Sequence, residues 1–233
     1  MPRRGSEPPE APGGQERAPG AADATRLARK ERRHATRRQA ILAAARRVVV
    51  EQGIAALTIA EVAHAAGVSK PAVFYYFASR EEIVGGLAVE IFEAEVADLE
   101  KAIDAAPSGV EALVELVRAK VDRYAGDLDA FRIAYVHPQL VGLPADLLQR
   151  HVYPRSERIN DMLEQRLLAD RDAGALHPSL HPRRLANLAW ITAHGILSLA
   201  ASLQMAGGST AAGLDQLRDE ACALLRRAAQ SAG

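Results

Sequence analysis

Residues 58–77 read TIAEVAHAAGVSKPAVFYYF, and this stretch decides how the rest of the chain is taken. Thr58 with Glu61 fits the S/T-x-x-E capping box, in which hydroxyl and carboxylate satisfy backbone N–H groups left open at a helix start. Gly67 permits a sharp turn, and Ser69 caps a second, short helix. Ile59, Val62, Ala63 and Val68 turn inward, as do Val73 and Phe77 at spacing i, i+4. Lys70, Ala72, Tyr75 and Tyr76 are then left towards solvent. Two exposed tyrosines beside a lysine at a helix start suit phosphate and groove contact by a helix-turn-helix. The alternative is an ordinary helical hairpin inside a bundle. The second helix is too short to stabilise itself, and its outer face is too aromatic to lack a partner, which weighs against that reading.

Working outward, apolar residues recur with period 3.6 and nowhere alternate for long, so the chain is expected to be all-α. A first helix spans about 36–52 and stops at Gly53; others cover about 59–66, 70–76, 80–105 and 109–126. Capping boxes at Ser79/Glu82 and Ser108/Glu111 mark the last two starts. Pro138, Pro144 and Pro154 break up helical pieces near 128–136, 145–152 and 155–173. His-Pro pairs at 177–178 and 181–182 form a linker to two final helices, about 183–206 and 211–230, parted by Gly207 and Gly208. The domain expectation is a disordered, basic, Pro/Gly-rich arm at 1–33, an N-terminal three-helix domain with the helix-turn-helix at 34–80, and a larger helical domain at 81–233, for which the resemblance given below implies ligand binding and dimerisation.

The 233 residues carry 29 basic and 29 acidic side chains, which alone argues against a uniformly basic nucleic-acid binder. The layout reverses that impression: residues 1–80 hold 14 basic and 7 acidic groups, and residues 81–233 hold 15 and 22. One cysteine, Cys222, excludes an internal disulfide framework or a Cys-based zinc module and fits a reducing cytoplasm. Leu185–Leu214 has no formal charge and is long enough for a bilayer span. Asn187, His194, Ser198 and Ser202 align on it, and Gly207 and Gly208 interrupt it, so a helix buried between its own domain and a partner is the preferred reading over a membrane span.

The segment from Arg38 to about Ile91 resembles the complete DNA-binding domain of the TetR family of bacterial transcriptional regulators. The first helix ending in Gly, the GVSKPAVFYYF recognition segment and the SREEI opening of the fourth helix carry the likeness; the remainder matches only in its layout of helices. The DAGAL run at 172–176 followed by His-Pro-Arg-Arg-Leu is similar to the family's approach to its eighth helix, with His181 where members usually have Asp. The resemblance implies phosphate contacts from Thr58, Ser69, Tyr75, Tyr76 and Arg80. Lys70 becomes the leading base reader, able to donate to guanine N7 and O6, and Pro71 and Ala72 can touch thymine methyls. Phe74 stands where the family often has Tyr, so packing is expected of it. Ile59 and Ala60 lack polar groups, which makes base readout sparse and DNA shape important. Arg26, Arg29, Lys30, Arg32, Arg33, Arg37 and Arg38 are expected to enter the minor groove or neutralise phosphates, against the alternative of a merely solvated run.

The resemblance further implies a homodimer with recognition helices about 34–36 Å apart, so that both reach successive major grooves of a palindromic operator. Its four-helix interface would come from the two C-terminal helices, with Arg183 and Asn187 at the rim and Cys222 within it. It also implies release by a small, mainly apolar or aromatic effector, coupled through the helix that starts at Ser79, in which Gly85 and Gly86 allow either bending or close packing. Pocket candidates are Tyr124, Phe131, Tyr135, His137, His151, Met162, Gln165, Trp190 and His194, each large or polar in an Ala/Leu/Val-rich region. Two other readings compete. A metal-dependent enzyme or sensor would use His137, His151, His177, His181 and His194, but Pro178 and Pro182 deny the His177/His181 pair a regular helix, and no H-E-x-x-H, phosphate loop or nucleophile elbow is present. A helical protein-interaction module would bind no DNA. The expectation is therefore a cytoplasmic repressor, not an enzyme, needing neither cofactor nor metal.

Overall fold

The structure, a computed structural model, describes residues 21–138, 145–208 and 211–230, and among them there is no strand. Helices run α1 Ala21–Gln52, α2 Ile59–Ala66, α3 Lys70–Tyr76, α4 Arg80–Ala105, α5 Gly109–Ala125, α6 Leu128–Phe131, α7 Ala145–Leu147, α8 Tyr153–Asp172, α9 Pro182–Met205 and α10 Ala211–Gln230. The hydroxyl half of each expected capping box forms, and the carboxylate of Glu111 pairs instead with Arg226. The Thr58, Ser79 and Ser108 hydroxyls accept from the N–H groups of Glu61, Glu82 and Glu111 at 3.1, 3.2 and 3.1 Å, and Glu82 accepts in return from the Ala78 N–H at 2.6 Å. Gly67 takes φ 63° and ψ 36°, the left-handed conformation that a side chain resists.

The chain divides into two compact units, Met1–Ala40 and Ile41–Gly233. Its own division thus lies at 40/41, whereas the sequence expectation placed boundaries at 33 and 80. The first unit corrects the expected arm. Helix α1 begins at Ala21, so Arg26 to Arg33 are helical and not an extended, disordered run; the expectation for residues 1–20 falls outside the described residues. The stretch RLARKERRHATRRQ has a single large apolar residue, Leu27, and therefore no buried periodicity to read. Ala, Arg, Lys, Glu and Gln nevertheless carry the propensity for a helix.

In the second unit one hydrophobic cluster extends from Ile41 to Ala229. Helix α5 is its axis: Leu113, Val114, Leu116, Val117 and Val121 are fully buried, each stabilising by about 1.5–3 kcal/mol. Its first turn meets α8 backbone to backbone. A Cβ on Gly109 would lie 2.5 Å from the Arg166 carbonyl, and the Val110 N–H donates to the Asp170 carboxylate at 2.7 Å. Gly86 similarly faces Leu42 and Phe77 at 2.9 and 3.5 Å, so at this position in α4 close packing, not a hinge, accounts for the glycine. Two widened π-helical turns, Arg132–Val136 and Leu148–Val152, follow α6 and α7. The second ends beside Pro154, whose nitrogen has no hydrogen to continue the regular ladder.

Helix α9 is long and apolar enough to cross a membrane by length and composition. Its apolar residues split between two faces. Leu185, Ala186, Ala189, Ala193, Leu197 and Ala201 are in the core, while Leu188, Ile191, Leu199 and Leu203 form an exposed stripe. Helix α10 divides likewise, Leu214 and Cys222 inward, Leu217 and Leu224 outward.

Candidate DNA-binding surface and effector pocket

The α2–turn–α3 unit presents the residues the sequence singled out. Thr58, Ser69, Lys70 and Pro71 are exposed, Ala72 and Tyr76 half-buried, and Tyr75 is 67% exposed, beneath it a core of Val62, Ala63, Val73 and Phe77. The Ser69 hydroxyl accepts from the Ala72 N–H at 3.3 Å, which leaves its own O–H to donate, as does the Thr58 hydroxyl in its cap. Tyr75 and Tyr76 meet edge to face at 5.0 Å. Phe74 is 53% exposed, so the packing role expected of it does not hold; it adds an apolar contact to the outer face.

Arg80 has a different occupation from the one the resemblance implied. Its Nε donates to the Leu57 carbonyl at 2.7 Å and its Nη2 to the Ile54 carbonyl at 3.0 Å, which ties the start of α4 to the loop before α2. Arg47 makes the complementary tie, donating to the Ala65 carbonyl at 2.8 Å. These bonds use the Nε and Nη2 donors to hold the helix-turn-helix on α4, while Nη1 lies 4.0 Å from the Glu81 carboxylate.

A cavity of about 360 Å³ lies between α4, α8 and α9. Phe92, Glu95, Val96 and Leu99 form one wall, Ser156, Ile159 and Asn160 a second, Asn187, Trp190 and Ile191 a third. Of the sequence candidates only Trp190 lines it. Tyr124, Phe131, Tyr135 and His194 lie together in an aromatic cluster, with His194 stacked on Trp190 at 4.7 Å. Met162 and Gln165 border a separate shallow depression with Asp104 and Glu157, and His151 faces Glu93 at 3.2 Å, so these three are not brought to the cavity. His137 is half-buried, and its ring is held below the usual imidazole range by burial and then by the Arg80 and Arg132 charges. Asn187, expected at a dimer rim, is a cavity residue, and Arg183 pairs with Glu157 and Asp161 of α8 at 2.5 and 2.6 Å. Cys222 is buried inside the protomer against the Val114 carbonyl, not held for an interface, and burial pushes its thiol up.

Sequence reasoning missed the pair that organises this region. Lys120 and Glu95 are 0% and 1% exposed and form an ion pair; Tyr124 and Tyr135 donate to the other Glu95 oxygen, each at 2.6 Å. The ammonium also reaches the Tyr135 hydroxyl at 2.9 Å and sits 4.2 Å and 5.0 Å from the Tyr135 and Trp190 ring centres. Desolvation lowers the Lys120 pKa, against the carboxylate that raises it, and burial beside Glu95 pushes both tyrosines far above their ordinary range. His194 is lowered by burial and by the Lys120 charge. The available signal was a charged residue in an apolar register: Glu95 among Ile91, Phe92 and Leu99, and Lys120 among Leu116, Val117 and Tyr124. Among the described residues no group of three or more His, Cys, Asp or Glu is placed to hold a metal ion, and the His177 ring is engaged by Ser179 at 2.7 Å.

The chain thus sets a short helix with an exposed face on a capped scaffold and follows it with a helical bundle that holds a half-open cavity. Residues 41–87 match the family model of bacterial regulatory proteins, tetR family, so this stretch carries a tetR-type domain. Solved structures agree in fold. A protein of unknown function from Rhodococcus sp. RHA1 is 23% identical with a TM-score of 0.65, over 84% of this chain and 96% of that one. A tetR-family regulatory protein from Rhodococcus RHA1 gives 19% and 0.60 over 84% and 98%. The regulator FadR from Bacillus subtilis, solved in complex with stearoyl-CoA, gives 19% and 0.61 over 82% and 98%. No curated protein matches the sequence.

Proposed function

We propose that the chain is a cytoplasmic repressor, without enzymatic activity, that binds a palindromic operator as a homodimer and leaves it when a small effector enters the α4/α8/α9 cavity. The observation that carries the DNA part is the exposed face of α3, with Lys70 at its start and Tyr75 near its end, on a rigid capped scaffold. Lys70 reads guanine, Pro71 and Ala72 meet thymine methyls, and Thr58, Ser69, Tyr75 and Tyr76 hold phosphates. The exposed stripe Leu188, Ile191, Leu199 and Leu203 of α9, with Leu217 and Leu224 of α10, supports a two-fold four-helix interface.

The effector class follows from the cavity. At roughly 30 Å³ per water-sized group, 360 Å³ admits about a dozen heavy atoms, and the walls are mostly apolar. Ser156, Asn160 and Asn187 offer hydrogen bonds. The neighbouring cations are already paired: Arg155 with Glu93 at 2.8 Å, Arg158 with Glu100 at 2.7 Å, and Arg183 with Glu157 and Asp161. Glu164 adds further acid, so a phosphate-bearing ligand is disfavoured and a compact, uncharged, apolar or aromatic molecule with one or two polar groups is favoured. Helix α4 supplies the coupling, since Arg80 clamps the helix-turn-helix and residues 92–99 of the same rigid rod line the cavity about 20 Å away. A coupling of about 1–3 kcal/mol gives a 5- to 150-fold change in DNA affinity. A thermal-shift screen of small aromatic alcohols and ketones beside acyl-CoA thioesters tests the class: stabilisation by the former that also weakens operator binding is expected. Stabilisation confined to the thioesters would overturn it.

A further inference from the structure

The helical form of residues 21–40 gives the basic run a geometry that its composition does not show. At 100° per residue, Arg26, Arg29, Lys30, Arg33 and Arg37 fall within a stripe about 100° wide that extends about 16 Å along α1. All five side chains are exposed, and no ion pair engages them among the described residues. Arg32 and Arg38 lie off the stripe, and Glu31 is on another face. We infer that this stripe is a second, sequence-independent DNA-binding element that tracks the phosphate backbone as an intact helix. The inference rests on the DNA-binding reading above and adds to it a contact outside the tetR-type domain, which starts at residue 41.

Of the two modes expected from the sequence, the helix favours phosphate neutralisation over entry into the minor groove. An α-helix with side chains is about 10–12 Å across, and the minor groove is about 6 Å wide, so these arginines cannot enter it as an extended arm does. A single line of cations instead matches a single line of phosphates, either at a groove edge or along one strand. An anionic membrane surface is the other polyanion a basic helix can meet. That use needs an apolar face to insert, and the rest of this helix offers Leu27 among Ala28, Ala35, Thr25 and Thr36. The observations therefore favour nucleic acid.

The test compares full-length protein with the variant Arg26→Gln, Arg29→Gln, Lys30→Gln, Arg33→Gln, Arg37→Gln, glutamine being a good helix former. Affinity for a non-operator 30-base-pair duplex and for the operator is measured from 50 to 200 mM salt. Each phosphate contact contributes about 0.9 to the slope of log K against log salt, so five contacts lower it by up to about 4.5 per protomer. A fall of 2 or more per protomer on both DNAs, with the operator preference kept, is the expected result. A smaller fall overturns the proposal. Loss of operator binding by the unmodified protein would instead remove the DNA reading as a whole. Sedimentation with vesicles of one part phosphatidylserine to three parts phosphatidylcholine is run alongside. Vesicle binding lost in the variant, with the DNA slope unchanged, would assign the stripe to membranes and overturn the inference.

Discussion

Replacing Lys120 by Met, Glu95 by Gln, and then both, separates the cost of a broken buried pair from the worth of the pair itself. Lys120→Met leaves a carboxylate that is 1% exposed with two tyrosine hydroxyls at 2.6 Å as its remaining donors. Glu95→Gln leaves a fully buried ammonium with the Tyr135 hydroxyl at 2.9 Å and two aromatic faces. Removing one partner of such a pair typically costs about 3–5 kcal/mol, because the other charge stays buried. For a domain of this size that is about 6–20 °C in Tm. Lys120→Met belongs at the lower end, since Tyr124 and Tyr135 still satisfy Glu95. The double variant carries no buried charge, and a Gln oxygen still accepts from the tyrosines, so it should be more stable than Glu95→Gln alone. Its cost should fall short of the sum of the single costs by about 2 kcal/mol or more. Melts followed by circular dichroism at 222 nm, at one fixed protomer concentration, measure this. Single variants within about 1 kcal/mol of the parent, or costs that simply add, would refute the reasoning.

Other outcomes follow from the same geometry. Gly109→Ala pushes a Cβ into the Arg166 backbone, so it should cost about 1–3 kcal/mol or more in urea melts, whereas Gly86→Ala meets only the movable end of Leu42 and should cost less. The pKa values of His137 and His194 are lowered from 6.5, so between that value and the lowered one the unfolded chain binds more protons than the folded one. Stability should therefore fall as pH drops below about 6.5, and His194→Phe, which keeps the stack on Trp190, should flatten that fall in Tm measured from pH 7 to 5. Lys70→Ala should lose about 1–3 kcal/mol of operator affinity and relax the base preference at one position, with dimer mass unchanged by light scattering. Leu199→Arg, on the exposed α9 stripe, should convert dimer to monomer in analytical ultracentrifugation with helicity retained.

Much of the fold was legible because its signals are local. The caps at Thr58, Ser79 and Ser108, the turn at Gly67 and the apolar period of α4 and α5 each fix an element without reference to the others. The outer face of α3 was legible for the same reason at Tyr75, which lies opposite Val73 and Phe77; Lys70 shares their side of the helix and is exposed because it stands at the first position. The structural tie made by Arg80 was not legible because its partners, the Ile54 and Leu57 carbonyls, lie more than twenty residues away, and loop closure of that kind leaves no periodic trace. The cavity was harder still. Size and polarity picked out Tyr124, Phe131, Tyr135 and His194, which do share one cluster, but the lining also needs small and polar groups such as Ser156, Asn160 and Asn187 that look unremarkable in sequence. The start of α1 was missed because a helix with no buried face carries no hydrophobic period.

The most direct test of the account is fluorescence-anisotropy titration of the purified protein against the DNA upstream of its own coding region, with shuffled DNA of the same composition as the reference. The account predicts binding of one dimer per palindromic site that is at least a thousandfold tighter than to shuffled DNA and that Lys70→Ala and Tyr75→Ala weaken without altering dimer mass. Equal affinity for both DNAs, or specific binding untouched by either substitution, would contradict it.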